Sequence, residues 1–265
     1  MSDFLLQMAT ASRERAAALP SRFSLPPAPV AFPNDSFAII AEIKRVSPAE
    51  GELGRDDDIA VRAKRYVAGG AAAISVLTEP TRFGGSVADL ATIAAALPAT
   101  PVMRKDFLTD IRQLDEARSA GASGVLLIAA MLDDATLRAL TLGAIERSLF
   151  VLLEAFDDAD IRRLVALREI AAIDAATLAR QVLFGVNSRD LRTLAVDSTR
   201  LARLAPSLPS DALGIAESGI ATPGDAAAAV GAGYGGALVG TALMRSANPT
   251  EHLRALHRAA VEAAP

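Results

Sequence analysis

The hydrophobic residues of this chain are concentrated in short runs, separated by longer stretches in which polar and apolar positions mix. The runs are almost continuously apolar rather than alternating, which is typical of strands that are buried on both faces of a parallel sheet. We therefore predict strands at eight segments: Phe37–Ile43, Ala73–Leu77, Pro101–Arg104, Gly124–Ile128, Leu149–Leu153, Val182–Val186, Leu213–Ala216 and Gly236–Val239.

Alanine-rich segments with helical periodicity lie between these runs. The clearest are Asp57–Val67, Ile111–Ser119, Asp134–Ile145 and Pro223–Val230, and Ala171–Arg180 predicts an additional helical turn. Eight strand–helix units in a chain of 265 residues predict an α/β fold, a single (β/α)8 TIM barrel over residues 36–265. Residues 1–35 would form an N-terminal extension of the same domain with a Leu5–Leu19 helix. A doubly wound open sheet is the alternative, but Glu42–Pro48 lacks its Gly-rich fingerprint.

Composition narrows the functional classes. The chain has no cysteine, which excludes disulfides, thiolate nucleophiles and cysteine-ligated metals. Its two histidines, His252 and His257, fall in one predicted surface helix, which argues against a histidine triad or multi-histidine metal site. A net charge of -4 without a basic block argues against nucleic-acid binding. We expect no membrane span and no secretory signal, and hence a cytoplasmic monomer or weak homo-oligomer.

Lysine is rare here, with three among the 27 Lys and Arg residues. Two of the three, Lys44 and Lys105, stand where an apolar run ends. A guanidinium stays protonated at any biological pH, whereas a partly buried ammonium can give up a proton and act as an acid or base. The pattern favours proton transfer by lysine, with chance placement as the alternative.

Ionisable residues collect at the predicted C-terminal ends of the strands, where (β/α)8 enzymes build their active sites. Strand alternation places Glu42 and Lys44 on one face, so both can point into the mouth of the barrel. Two lysines that face Glu42, Glu154 and Glu217 would nearly neutralise the charge of these carboxylates. Charged groups at the rim of an apolar core are costly unless they are paired in this way. A salt-bridge network at the rim that has no catalytic role is the alternative interpretation.

The last two predicted strands are followed by glycines and hydroxyl groups. Loops after strands seven and eight of such barrels commonly form a phosphate cup from backbone N–H groups. Gly219 and Gly240 would allow an anion to approach the main chain closely. Thr222-Pro223 predicts a helix start just beyond. The pattern favours a phosphate site, although glycines of ordinary turns would look the same.

Several segments resemble, in chain order, the motifs of the indole-3-glycerol phosphate synthase family. They are Ile40–Pro48, Phe83–Ser86, Arg104–Phe107, Gly185–Leu191, Ala216–Ile220 and Leu238–Gly240. The resemblance implies a lyase of tryptophan biosynthesis that needs no cofactor and no metal. It would close the small phosphorylated substrate 1-(2-carboxyphenylamino)-1-deoxyribulose 5-phosphate to indole-3-glycerol phosphate, with loss of carbon dioxide and water.

The resemblance also implies roles for the residues at the strand ends. Lys105 would be the general acid that protonates the ketone oxygen as the ring carbon attacks. Lys44 would hold the anthranilate carboxylate and assist its departure. Glu154 would act in proton removal and dehydration, positioned by Glu42 and Asn187.

A binding surface around these groups is implied as well. The residues that would wall the aromatic ring are Phe83, Phe107 and Leu126. Those that would hold the phosphate are Ser47, Gly219, Gly240 and Thr241. Those that would complete the mouth are Pro48, Arg189, Leu191, Glu217 and Ser218, with Ser218 among the catalytic groups.

Three departures from the family pattern leave fine specificity open. They are Ala49-Glu50 after the first motif, Ala155-Phe156 after Glu154, and the extended stretch at Ala171–Arg180. A paralogue of a specialised indole pathway, a phosphosugar isomerase or lyase with a Schiff base on Lys105, and a non-catalytic phosphometabolite-binding barrel are the competing hypotheses.

Overall fold

Eight parallel strands close into a barrel in this computed structural model, which describes residues 3–33, 36–47, 51–53 and 58–264, with Asp3, Ser47 and Ile170 described by backbone alone. The strands are β1 Ala38–Ile43, β2 Val46–Ser47, β3 Gly51–Glu52, β4 Ala73–Leu77, β5 Val102–Lys105, β6 Gly124–Ile128, β7 Phe150–Ala155, β8 Val182–Asn187, β9 Leu213–Glu217 and β10 Gly236–Val239. β2 and β3 form a separate antiparallel pair. β1 pairs with both β4 and β10, which closes the barrel. The predicted (β/α)8 class is confirmed and the open-sheet alternative is wrong.

Helices connect the strands and surround them. They are α1 Asp3–Ala17, α2 Ile59–Ala68, α3 Pro80–Phe83, α4 Val87–Ala96, α5 Arg112–Ser119, α6 Asp134–Glu146, α7 Asp158–Ile170, α8 Ala175–Gln181, α9 Arg200–Leu204, α10 Pro223–Gly231, α11 Thr241–Arg245 and α12 Pro249–Ala263, with 3-10 turns at Ala129–Met131 and Ala205–Ser207. The additional turn predicted at Ala171–Arg180 is α8. Thr222 is the N-cap of α10, at the predicted helix start, and forms a capping box with Asp225.

Several strands extend past their predicted ends, and the extension includes the charged residues. Lys105 pairs in register with Leu77, Glu154 with Ile128, and Asn187 with Glu217. The prediction ended these strands early because a charged residue normally marks the start of a loop. The strand ladder continues here because the charged side chains find partners inside the barrel mouth. Lys105, Glu154 and Asn187 therefore sit on strands rather than on loops.

Helix α1 is attached to the barrel next to the strand ends. Its buried face includes Leu5 and Met8. Arg15 donates to the carboxylate of Asp106 at 2.7 Å, and the same carboxylate accepts from Thr78 at 2.8 Å and from Arg104 at 3.1 Å. Asp106 follows the last residue of β5, so the N-terminal helix is held directly beside the mouth of the barrel.

The connector between α1 and β1 runs at the opposite end of the barrel. Phe32 packs on Phe150, the first residue of β7, with ring centroids 4.9 Å apart. Arg118, at the end of α5, donates to the carbonyl oxygens of Pro26 at 3.0 Å and Pro27 at 2.9 Å. It also donates to the carbonyl of Arg147 at 3.1 Å. One buried guanidinium thus ties the connector to two barrel helices.

Replacement of Arg118 by Met should lower the free energy of unfolding by about 1–3 kcal/mol, because three carbonyl acceptors lose their donor. Denaturant unfolding measures this loss, and Arg138→Met, at an exposed site of α6, is the matched control. Equal stability of the two variants would contradict this role for Arg118.

Candidate active site

A cavity of about 490 Å³ opens at the C-terminal ends of the barrel strands. That volume is within the range of small-molecule sites. The predicted site residues that line it are Glu42, Lys44, Phe83, Lys105, Phe107, Leu126, Glu154, Asn187, Arg189, Leu191, Glu217, Ser218, Gly219, Gly240 and Thr241. The predicted convergence of both lysines with acidic partners in one cavity is confirmed. Pro48 and the side chain of Ser47 lie outside the described residues, as do Ala49 and Glu50.

Lys105 lies at the centre of a cluster of buried acids. Its Nζ is 3.1 Å from Glu217 Oε2 and 3.5 Å from Glu154 Oε2. Both carboxylate side chains are fully buried, whereas 15% of the Lys105 side chain is exposed. Asn187 Nδ2 donates to Glu154 Oε2 at 3.2 Å, which orients that carboxylate. Three strands therefore hold the lysine ammonium at the mouth of the barrel.

The buried acids change the proton affinities of this cluster. Burial works against a charged Lys105, but the negative charges of Glu217, Glu154 and Glu42 outweigh it and raise the pKa of Lys105 above its ordinary value. Burial also raises the pKa of Glu217 to about 8, against the attraction of Lys105. Lys105 is thus an ammonium at neutral pH, able to donate a proton.

A second ion pair joins Lys44 Nζ to Glu42 Oε1 at 3.0 Å. The pair lies against Gly240, where an added Cβ would overlap Glu42 Oε1 and come within 3.2 Å of Lys44 Nζ. Gly185 makes room in the same way for Glu217 Oε1. These glycines are required by space, because each lies where a carboxylate crosses the neighbouring strand.

An aromatic wall covers one side of the cavity. The rings of Phe83 and Phe107 have centroids 6.0 Å apart at an angle of 36°. Phe4 of α1 meets Phe107 edge-on at 6.0 Å and also lines the cavity. Sequence reasoning missed Phe4, because an apolar residue in an amphipathic helix carries no sign of what the helix packs against.

The loops after β9 and β10 form the opposite side. Ser218 and Gly219 both adopt left-handed backbone conformations, with φ of 64° and 79°. A serine in this region is strained, and such strain is found mainly at functional sites. Gly240 and Thr241 follow β10, and Arg245 of α11 also lines the cavity. Hydroxyl groups, backbone N–H groups and a cation on two neighbouring loops suit an anion.

The loop after β8 forms the rim and adds residues that sequence reasoning missed. Leu194 and Val196 line the cavity beside the predicted Leu191. Arg192 joins this loop to the loop after β7, since it donates to Asp190 and Asp157, at 2.7 Å in each case. It also lies 5.5 Å from the ring centroid of Phe156.

Phe156, one of the departures from the family pattern, therefore provides a buried platform for a guanidinium. His252 and His257 lie in α12 and do not line this cavity, although His252 contacts the carbonyl of Ala221, which belongs to the lining. Across the described part of the chain, no group of three or more His, Cys, Asp or Glu side chains is arranged to hold a metal ion. None of the described helices is both long and apolar enough to cross a membrane.

A closed (β/α)8 barrel whose mouth combines an ammonium–carboxylate cluster, an aromatic wall and an anion-binding loop pair defines an acid–base enzyme of small anionic substrates. The family model described as indole-3-glycerol phosphate synthase matches residues 7–256. The chain therefore belongs to the indole-3-glycerol phosphate synthase family.

Individual relatives agree with this assignment. The indole-3-glycerol phosphate synthase of Nocardioides sp. is 46% identical over 217 residues, which cover 82% of this chain and 78% of that protein. That of Micrococcus luteus is 43% identical over 223 residues, covering 84% and 78%. The structure of 3-hexulose-6-phosphate synthase from Salmonella typhimurium has a TM-score of 0.62 at 16% identity, covering 86% of this chain and 100% of that one. At that identity it shows the fold alone.

Gly240→Ala should lower kcat/KM for indole-3-glycerol phosphate formation by about a hundredfold, because the new methyl group displaces Glu42 and Lys44. Steady-state kinetics and circular dichroism separate lost activity from lost fold. Gly231→Ala is the matched control, since its Cβ would meet nothing within 4 Å. Near-normal activity of Gly240→Ala would mean that the Glu42–Lys44 pair is not needed.

Proposed function

We propose that this chain is the decarboxylating lyase of tryptophan biosynthesis that forms indole-3-glycerol phosphate from 1-(2-carboxyphenylamino)-1-deoxyribulose 5-phosphate. The observation that carries the proposal is the convergence of Lys105 and Lys44, with their carboxylate partners, in one cavity beside an aromatic wall. Membership of the family supports the same reaction. Ring closure, decarboxylation and dehydration then occur in this cavity.

Lys105 is the general acid of the first step. Its ammonium protonates the ketone oxygen of the substrate while the carboxylate-bearing ring carbon attacks the ketone carbon. The negative charges of Glu154 and Glu42 support this role, because they raise the pKa of Lys105 and keep it charged at neutral pH. The same electrostatics oppose a Schiff base, which needs a neutral amine.

Lys44 binds the carboxylate that the ring loses. The Glu42–Lys44 pair lies at the end of β1, where it orients the ammonium toward the cavity. When the ring carbon has formed its new bond, the carboxylate leaves as carbon dioxide and its electron pair restores the aromatic ring. The ammonium stabilises the carboxylate before this step and releases neutral carbon dioxide afterwards.

Glu154 completes the reaction by removing a proton from the carbon next to the ring nitrogen, while the hydroxyl accepts a proton from the Lys44 ammonium in the same cavity and leaves as water. Its carboxylate is oriented by Asn187 Nδ2, as a general base requires. Ser218 and Asn187 lie within the same cavity and are proposed to hold the departing hydroxyl group.

The remaining lining residues bind the two ends of the substrate. Phe83, Phe107 and Leu126, with Phe4, contact the anthranilate ring. The sugar phosphate lies on the loops after β9 and β10, where the proposed contacts are Gly219, Gly240, Thr241 and the predicted Ser47. Arg189, Leu191 and Glu217 complete the mouth, and Pro48 belongs to the same predicted set.

Residues 1–265 are proposed to form one domain, with 1–35 as its extension, because Arg15 and Phe4 attach α1 to the site itself. No cofactor is required for the steps above. A cytoplasmic location and a monomeric or weakly self-associating state stay predictions, which analytical ultracentrifugation and localisation of the tagged protein would test.

Lys105→Met should reduce turnover at least about a hundredfold while the fold survives, because the general acid is lost. Indole fluorescence reports the product directly, since the chain contains no tryptophan. Lys64→Met is the control, at the exposed third lysine. A covalent adduct on Lys105 after borohydride treatment with substrate would favour the Schiff-base lyase instead. Substrate binding without turnover in the parent protein would favour the non-catalytic barrel.

Phe4→Ala should raise KM about two- to tenfold with a smaller change in kcat, because one aromatic contact is worth about 0.5–1.5 kcal/mol. Steady-state kinetics measures the split, and Leu6→Ala is the control, on the same helix with its side chain 46% exposed. If KM is the same in both variants, α1 supports the site without touching the ring.

A further inference from the structure

Lys105 has more negative partners than its single charge can balance. Two carboxyl groups, on Glu154 and Glu217, flank one ammonium, and neither is exposed to solvent. The nearby Glu42 does not relieve the excess, because it is already paired with Lys44. Two buried carboxylates that share one cation do not both ionise readily, since the second charge is neither solvated nor paired.

The hydrogen-bond pattern identifies the group that a proton would satisfy. The Oε2 atoms of Glu154 and Glu217 face Lys105, whereas each Oε1 is buried and meets no donor among the described residues. Glu217 Oε1 lies against the Cα of Gly185, and a Cα carries no N–H or O–H donor. The two carboxyl groups are neighbours, because their Oε2 atoms approach the same Lys105 ammonium at 3.5 and 3.1 Å. One proton between them would satisfy an oxygen on each side.

Glu217 is the better site for that proton. Glu154 Oε2 accepts from Asn187 as well as from Lys105, and both donors favour its ionised form. Glu217 Oε2 accepts from Lys105 alone among the described groups. Burial raises the pKa of Glu217 to about 8, in agreement with this assignment. The titratable groups near it are Lys105 on β5, Glu154 on β7 and the Glu42–Lys44 pair.

We propose that Glu217 works as a neutral carboxylic acid that donates its proton to Glu154, so that Glu154 is the one anionic partner of Lys105. This inference rests on the proposed function and assigns Glu217 a positioning role in it. The shared proton holds Glu154 in place as the base. Because Glu217 is neutral, it also does not repel the substrate carboxylate as this group enters the cavity.

The sign of the pH dependence follows directly. Below about pH 8 Glu217 keeps its proton. Above that pH it ionises, and a second negative charge then binds the Lys105 ammonium more tightly and repels the substrate carboxylate. The value of kcat/KM should therefore fall on the alkaline side, and this limb should belong to Glu217 coupled to its neighbours.

The test compares Glu217→Gln with Glu217→Ala across pH. A glutamine amide has the shape of the neutral acid, can donate to Glu154 and cannot ionise. Glu217→Gln should lower kcat/KM less than about tenfold at pH 7 and should move the alkaline limb upward by at least about one pH unit. Glu217→Ala should lose about a hundredfold, since it leaves Glu154 without its donor. Equal losses in both variants, with the limb unmoved, would overturn the proposal.

Infrared spectroscopy of the substrate-free enzyme supplies an independent measurement. At pH 7 the parent protein should show a protonated-carboxyl band that disappears above about pH 8. Glu217→Gln should lack this band, while Glu42→Gln, at the carboxylate already paired with Lys44, should keep it. Absence of the band from the parent protein would reject a neutral Glu217. Should the parent protein make no indole, the proposed reaction fails, whereas the infrared result still decides the protonation state.

Discussion

The structure depends on the pairing of buried charges at the rim of an apolar barrel. An ammonium group such as that of Lys105 is stable there only while carboxylates compensate the loss of water, and those carboxylates in turn need donors. From two other strands, Glu154 supplies the compensating charge and Glu217 a second hydrogen-bond acceptor. The same compensation keeps the lysine protonated, so the interaction that permits burial also prepares the acid for catalysis.

The geometry of the barrel makes such pairing possible. Parallel strands bring their C-terminal ends to one place, and each end can carry one inward side chain of the cluster. Space for the carboxylates comes from Gly185 and Gly240, where a methyl group would overlap Glu217 and Glu42 respectively. The rigidity of the strands holds the groups at fixed separations, as acid–base chemistry requires.

The helical extension is part of this arrangement rather than an appendage. Arg15 binds the carboxylate of Asp106, next to Lys105 in the chain, and Phe4 extends the aromatic wall. Elsewhere around the same barrel mouth, Arg192 joins the loops after β7 and β8 and lies over the buried ring of Phe156. The departure from the family pattern at Phe156 therefore has a structural consequence at the rim and leaves the ion cluster intact.

The sequence by itself determined the barrel and most of its cavity. Continuous apolar runs followed by Lys, Glu or Asn are local patterns. Parallel strands of a barrel bring the ends of such runs together, whatever the exact strand boundaries are. Only the tertiary structure decided the contributions of Phe4, Leu194, Val196 and Arg192, and the extension of the strands through Lys105 and Glu154. These features depend on contacts between residues far apart in the chain, and a side chain carries no local sign of a distant partner.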